Sequence, residues 1–169
     1  PYEEKDNETL KETAELLKSF AKKYPLAVEM GRFLASSCGT YLTSVADIKN
    51  NLGTNYVICD GGINHLKYYG QTMAMQVPPI MLLGSDKVYD HSYTLCGSLC
   101  TTADLLVRKA ELPELKIGDV LAFGRCGAYT VTEGTVLFLS RTMPRVMLCS
   151  EKDGLKLVRD FYDTDKLNF

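Results

Sequence analysis

The sequence has no tryptophan and only two histidines, His65 and His91. Its six cysteines, Cys38, Cys59, Cys96, Cys100, Cys126 and Cys149, include no C-x-x-C pair. With histidine and cysteine unclustered, a zinc site has no sequence support and no metal is expected. The cysteines suit a reduced, cytoplasmic protein, and most read as small buried hydrophobes. Neither sign of charge dominates: Lys and Arg number 19, Asp and Glu 21, for a net charge of −2. A sequence-blind nucleic-acid binder needs many unpaired cations, so nucleic acid is not an expected partner. No apolar run approaches the roughly 18–20 residues that span a bilayer. The strongest, Ile80-Met81-Leu82-Leu83, is short. No signal segment opens the chain, so a membrane is not an expected partner either.

What is present describes a globular chain. Of 169 residues, 46% are hydrophobic and 24% charged, which excludes disordered, collagenous and coiled-coil classes. A chain of this length buries roughly 70% of its unfolded surface without help from a metal or disulfide.

The first segment differs from the rest. Asp6 and Asn7 are candidate helix caps, and Leu10, Ala14, Leu17, Ala21 and Tyr24 recur at helical spacing. Pro25 stops that helix, and Leu26–Met30 reads as a short buried strand. From Thr40 onward the pattern turns to β. Tyr41–Ile48 alternates, Asn50-Asn51-Leu52-Gly53 is a turn, and Tyr56–Cys59 is a strand ending at Asp60-Gly61-Gly62. Further strands are expected from Ile80 and near Tyr93–Cys96, Val120–Phe123, Arg145–Cys149 and Leu155–Val158, with helical pieces near Ala103–Arg108 and Arg159–Lys166. Many short strands at irregular spacing predict a mainly β domain, a barrel or sandwich. The division expected is a helix–strand unit over residues 1–36, resembling the last element of an α/β barrel, and a β domain over 37–169.

Four segments carry possible chemistry. Glu29-Met30-Gly31-Arg32 follows the expected first strand. Gly31 permits close backbone approach and Arg32 offers a fork for phosphate or carboxylate; a solvated surface turn is the alternative. Asp60-Gly61-Gly62-Ile63-Asn64-His65 is either an anion nest or a tight turn, with His65 read as a structural residue. Cys96-Gly97-Ser98-Leu99-Cys100-Thr101-Thr102-Ala103-Asp104 would place Cys100 before a helix start, where the dipole lowers a thiol pKa. The alternative is a buried cysteine before an ordinary capped helix. Cys126-Gly127-Ala128-Tyr129-Thr130 offers a tyrosine at a strand end, as a site residue or as packing.

In this order and spacing the four segments resemble the C-terminal part of the fold-type-III pyridoxal-phosphate decarboxylases, the diaminopimelate/ornithine/arginine decarboxylase superfamily. The family text is Glu-Pro-Gly-Arg, Asp-Gly-Gly, Gly-Pro-x-Cys and Gly-Ala-Tyr, met here at Glu29–Arg32, Asp60–Gly62, Gly97–Cys100 and Gly127–Tyr129. The resemblance implies pyridoxal 5′-phosphate as cofactor. It places Glu29 at the pyridine nitrogen, Gly31 and Arg32 at the phosphate, and Tyr129 closing near it. Cys100 would cross from a partner subunit of a homodimer and protonate the carbanion left by departing CO₂. Thr101 stands where diamino-acid enzymes carry an acid that pairs with the distal ammonium. It therefore implies an amino-acid substrate without a distal cation, possibly borne on a carrier-protein thioester. Met30 and Ser98 replace family prolines, and Lys67-Tyr68-Tyr69 stands where diaminopimelate enzymes place an arginine. The Schiff-base lysine of this family lies in an N-terminal α/β barrel, so this segment alone is expected to be inactive. An alanine-racemase-like enzyme and a non-catalytic homologue are the alternative readings.

Overall fold

The computed structural model describes residues 6–67 and 77–168. Its organising strand is β1, Tyr41–Asn51, long enough to pair along two different neighbours. Tyr41, Thr43 and Val45 point inward and are buried, while Leu42 and Ala46 face out. This is the period-2 alternation expected of a half-buried strand. The C-terminal half of β1 forms an antiparallel hairpin with β2, Thr54–Cys59. At its tip Leu52 and Gly53 have φ of 49° and 80°, the two positive values of a turn that matches strand twist. The N-terminal half of β1 pairs with β6, Val120–Phe123, and a bulge at Ala46 interrupts the pairing with β2 between Val45 and Asp47.

The remaining strands are β3 (Ile80–Leu82), β4 (His91–Cys96) and β5 (Leu105–Leu112). The sheet order is β3-β6-β1-β2-β4-β5. Only the β2–β4 pair is parallel. The edge strands β3 and β5 approach each other, so the six strands curl into a nearly closed barrel. Val45, Val57, Leu95, Val107, Leu112, Leu121 and Phe123 fill it. A second sheet, the hairpin β7 (Val146–Ser150) with β8 (Gly154–Arg159), follows the barrel. An isolated bridge between Met143 and Tyr162 closes its base.

The mainly β barrel is therefore as expected, but several local expectations fail. The helix α1 spans Asp6–Ala21, with helical hydrogen bonds continuing to Tyr24 before Pro25. The cap roles of Asp6 and Asn7 concern side chains outside the described residues, as do Tyr68 and Tyr69. Leu26–Met30 is not a buried strand: Leu26 and Val28 are exposed and no described strand lies alongside. A strand exists only where a neighbour accepts its ladder bonds. The helix expected over Ala103–Arg108 is instead the start of β5. Two irregularities in its pairing with β4 break the alternation, so Leu106, Val107, Ala110 and Leu112 are the buried set and mimic helical spacing. The helix expected over Arg159–Lys166 is reduced to one 3-10 turn at Thr164–Leu167. A short helix α2, Gly31–Ala35, stands where the sequence suggested only a turn.

Three chain segments meet at Asp104, which is 4% exposed. Its carboxylate accepts the Ile63 N–H at 2.8 Å and the Leu99 N–H at 2.7 Å, while its carbonyl accepts the Gly97 N–H at 3.0 Å. A Cβ on Gly62 or on Gly97 would run into that carboxylate. These glycines are needed because the carboxylate fills the space a side chain would take. Asp104→Ala should leave two N–H groups without their acceptor and lower stability by about 3 kcal/mol. A urea titration reads this as a lower midpoint at unchanged slope. An unchanged midpoint would mean that water serves both donors equally well.

Candidate functional site

The segment Gly31–Gly39 lies against the loop that follows β6. Ser36 accepts the Gly127 N–H and Gly39 the Cys126 N–H, each at 2.9 Å. Across this seam Arg32 reaches the loop. One guanidinium nitrogen donates to the Ala128 carbonyl at 3.1 Å and another to Glu133 Oε1 at 2.9 Å. The guanidinium carbon sits 4.9 Å from the centroid of the Tyr129 ring, within cation–π range. Tyr129 has φ of 63°, a left-handed conformation uncommon for a bulky residue. Its carbonyl receives the Glu133 N–H at 2.8 Å and the Thr132 hydroxyl at 3.0 Å. Its own hydroxyl lies over Gly31, where a Cβ would come within 2.5 Å of it. Gly31, Arg32 and Tyr129 thus converge. Glu29 is exposed just before them.

Cys100 and Thr101 occupy a different loop, between β4 and β5. Cys100 is exposed, and a turn closed by Asp104 N–H to Thr101 O at 3.1 Å leads directly into β5. No helix begins there, so the dipole expected to act on the thiol is absent, and Cys100 is not a buried packing residue either. Its loop is fixed from two sides. Asp104 holds Leu99, and the Ser98 hydroxyl donates to the Asp60 carbonyl at 2.9 Å while accepting from Arg141 at 2.8 Å. Ser98 thus supplies by hydrogen bonds a rigidity that a proline would supply covalently.

All six cysteines are free thiols. The packing role holds for Cys59 and Cys126, which are buried; burial pushes the Cys59 thiol up to about 12. Cys38, Cys100 and Cys149 are exposed. His65 is structural, as read from the sequence. Its Nε2–H donates to the Thr142 carbonyl at 2.8 Å, which leaves Nδ1 to accept the Tyr41 hydroxyl at 3.0 Å. Both rings border a cleft of about 900 Å³ between the barrel end and the β7–β8 hairpin, shared with Asp60, Arg141, Arg145 and Phe161. Glu133 and Arg141 escaped the sequence reading, because neither stands beside a recognisable motif. Asp104 was read only as part of a helix start.

A family model described as the pyridoxal-dependent decarboxylase, C-terminal sheet domain, matches residues 32–127. The chain belongs to this family. Among its relatives is the diaminopimelate decarboxylase of Methanocaldococcus jannaschii, 30% identical over 94% of this chain and 37% of that protein. The L-glutamyl-[BtrI acyl-carrier protein] decarboxylase of Niallia circulans is 28% identical over 78% of this chain and 32% of that protein. The crystal structure of the M. jannaschii enzyme with L-lysine superposes with a TM-score of 0.75 at 27% identity, covering 91% of this chain and 35% of that one. The chain spans about a third of the length of these decarboxylases.

Membership in the pyridoxal-dependent decarboxylases implies pyridoxal phosphate, and the residues present fit its phosphate. The missing side chain of Gly31 lets the Tyr129 hydroxyl come close to its backbone. Gly31 opens α2, so its N–H has no preceding helical turn to bond. A backbone donor, a phenolic donor and a nearby guanidinium suit an anion. Among the described residues, no helix is long and apolar enough to cross a membrane.

The His65 environment fixes a pH response. Burial lowers its pKa from the ordinary 6.5, outweighing the Thr142 carbonyl and the Asp60 charge, which favour the proton. Above the unfolded value of about 6.5 both states are neutral and the contribution of His65 is complete. As pH falls below it the unfolded chain takes up the proton first, and stability is lost until the folded value is passed. The stability difference between the parent and His65→Gln should therefore shrink between pH 7.5 and 5.5 in denaturant titrations. Parallel curves would mean that His65 is protonated equally in both states.

Proposed function

We propose that this chain is the cofactor-closing domain of a pyridoxal-phosphate-dependent amino-acid decarboxylase. The observation that carries the reading is the meeting of the adjacent pair Gly31 and Arg32 with Tyr129 from a remote part of the chain, which gathers a backbone N–H, a guanidinium and a phenol suited to an anion. Residues 37–169 form the β domain in this reading, and residues 1–36 belong with an α/β barrel that holds the Schiff-base lysine. The bound cofactor supplies an electron sink that makes loss of CO₂ from the substrate feasible. Glu29 keeps the pyridine nitrogen protonated, and Gly31, Arg32 and Tyr129 hold the phosphate end. Cys100 reaches the partner's site across a homodimer interface and delivers a proton to the substrate α-carbon once CO₂ has left. Its exposure and its doubly fixed loop support that task.

Thr101 offers a hydroxyl and no charge to the far end of the substrate. This supports an amino acid without a distal cation, including one carried on a carrier-protein thioester. The similarity to the N. circulans acyl-carrier-protein decarboxylase favours the same class. Six free thiols support a reducing compartment, the cytoplasm.

In the full-length polypeptide, Cys100→Ala should leave cofactor binding intact and slow amine formation by about 10²–10⁴-fold, the worth of a general acid. Aldehyde should appear beside the amine, because the proton then arrives at the wrong carbon. Product partitioning measured beside a cofactor titration reads both effects. Normal amine turnover by Cys100→Ala would remove Cys100 from the reaction.

A further inference from the structure

Arg141 belongs to the segment between β6 and β7, 43 positions from Ser98, yet its guanidinium donates to the Ser98 hydroxyl oxygen at 2.8 Å. The same nitrogen lies 3.4 Å from the Asp60 carbonyl, to which the Ser98 hydroxyl itself donates at 2.9 Å. That hydroxyl is therefore used both as donor and as acceptor. Among the described residues the Ser98 N–H donates to no acceptor, so the side chain is what anchors this residue. Cys100 follows two residues later and is exposed.

The backbone around Arg141 is fixed in turn. Its carbonyl accepts the hydroxyl of Thr164, a fully buried residue, at 2.9 Å. The next carbonyl, that of Thr142, accepts the His65 ring N–H at 2.8 Å. Met143 and Tyr162 then bridge across the base of the β7–β8 hairpin. The guanidinium thus ties the Cys100 loop to a part of the chain that lies outside the six-stranded barrel.

We propose that Arg141 is a positioning residue for Cys100. Through the Ser98 hydroxyl it sets the path of the Cys100 loop, and Thr164 holds Arg141 in place to do so. This rests on the reading of Cys100 as the proton donor and deepens it. A proton donor acts only within hydrogen-bond reach of its target atom, so a loop that strays delivers the proton late or to the wrong carbon. The family text has a proline where this chain has Ser98, and a proline ring fixes its own backbone without a neighbour. Here the restraint is a hydrogen bond, so it depends on a residue elsewhere in the chain.

That dependence is what the experiment reads. Arg141→Met removes the donor and keeps an apolar stem. It is made on the parental background and on the Ser98→Pro background, in the full-length polypeptide with pyridoxal phosphate bound. Two quantities are measured: amide hydrogen exchange over residues 99–104, and the ratio of aldehyde to amine among the products. On the parental background Arg141→Met should raise both by roughly tenfold, the worth of a charge-assisted hydrogen bond. On the Ser98→Pro background the same change should move neither, because the bond it would break is already absent. A residue that only stabilised the segment between β6 and β7 would do equal damage on both backgrounds. Equal damage overturns the proposal, and so do parental exchange and product ratio in Arg141→Met. Should Arg141→Met not fold, Ser98→Ala takes its place against the parent; it should raise both quantities, and parental values overturn the proposal. Normal amine turnover by Cys100→Ala removes the proton-donor reading and this inference with it. An impaired Cys100→Ala beside a parental Arg141→Met removes only the inference.

Discussion

The barrel depends on one buried carboxylate. Asp104 ends the β4–β5 loop, and its oxygens take backbone N–H groups from the loop after β2 and from the loop after β4. Each of these strands ends at a point where backbone donors would otherwise face the interior unpaired. The parallel pairing of β2 with β4 brings both ends to the same rim, and one side chain then serves both. Gly62 and Gly97 follow from that choice, and so does the fixed path of the Cys100 loop. The Asp60-Gly61-Gly62 text is thus explained by the carboxylate packed against it. It is a tight structural turn, and its oxygen neighbours leave no nest for an anion at Gly62.

How much of this the sequence disclosed depended on how local the cause was. β1, β2 and their turn were legible because alternation and an Asn-Asn-Leu-Gly string sit in adjacent residues. β5 was not, because pairing irregularities against β4 moved its buried residues off the period of two, and no reading of Leu105–Leu112 alone contains β4. The failed Leu26–Met30 strand is the converse case. Its residues are fit for a sheet, and what decides is whether another strand stands beside it. At the site, Gly31, Arg32 and Tyr129 were named from motif text. The reason they belong together, an arginine reaching across to Ala128 and Glu133, is a contact between remote positions. Glu133 has no local signature, and only the folded chain brings it to Arg32.

The two loop systems differ in what restrains them. The Tyr129 loop is held mainly by side chains, a guanidinium and a carboxylate acting on one aromatic ring. The Cys100 loop is held by a buried carboxylate on its backbone and by Ser98 between Asp60 and Arg141. The first arrangement fixes a side chain against a glycine and leaves the ring half exposed. The second fixes the loop path and leaves the thiol facing outward.

The pairing of β1 with both β2 and β6 also sets an order of assembly. The β1–β2 hairpin closes over a few residues and forms on contact, whereas β6 must return to β1 from far along the chain. Arg32 and Ala128 are 96 positions apart, and the Tyr129 loop leaves the end of β6 directly. Seating that loop is therefore coupled to barrel closure, among the later events of folding. A partly made or partly opened barrel cannot hold Tyr129 against Gly31, so the contact between those two residues doubles as a record that the domain has finished folding.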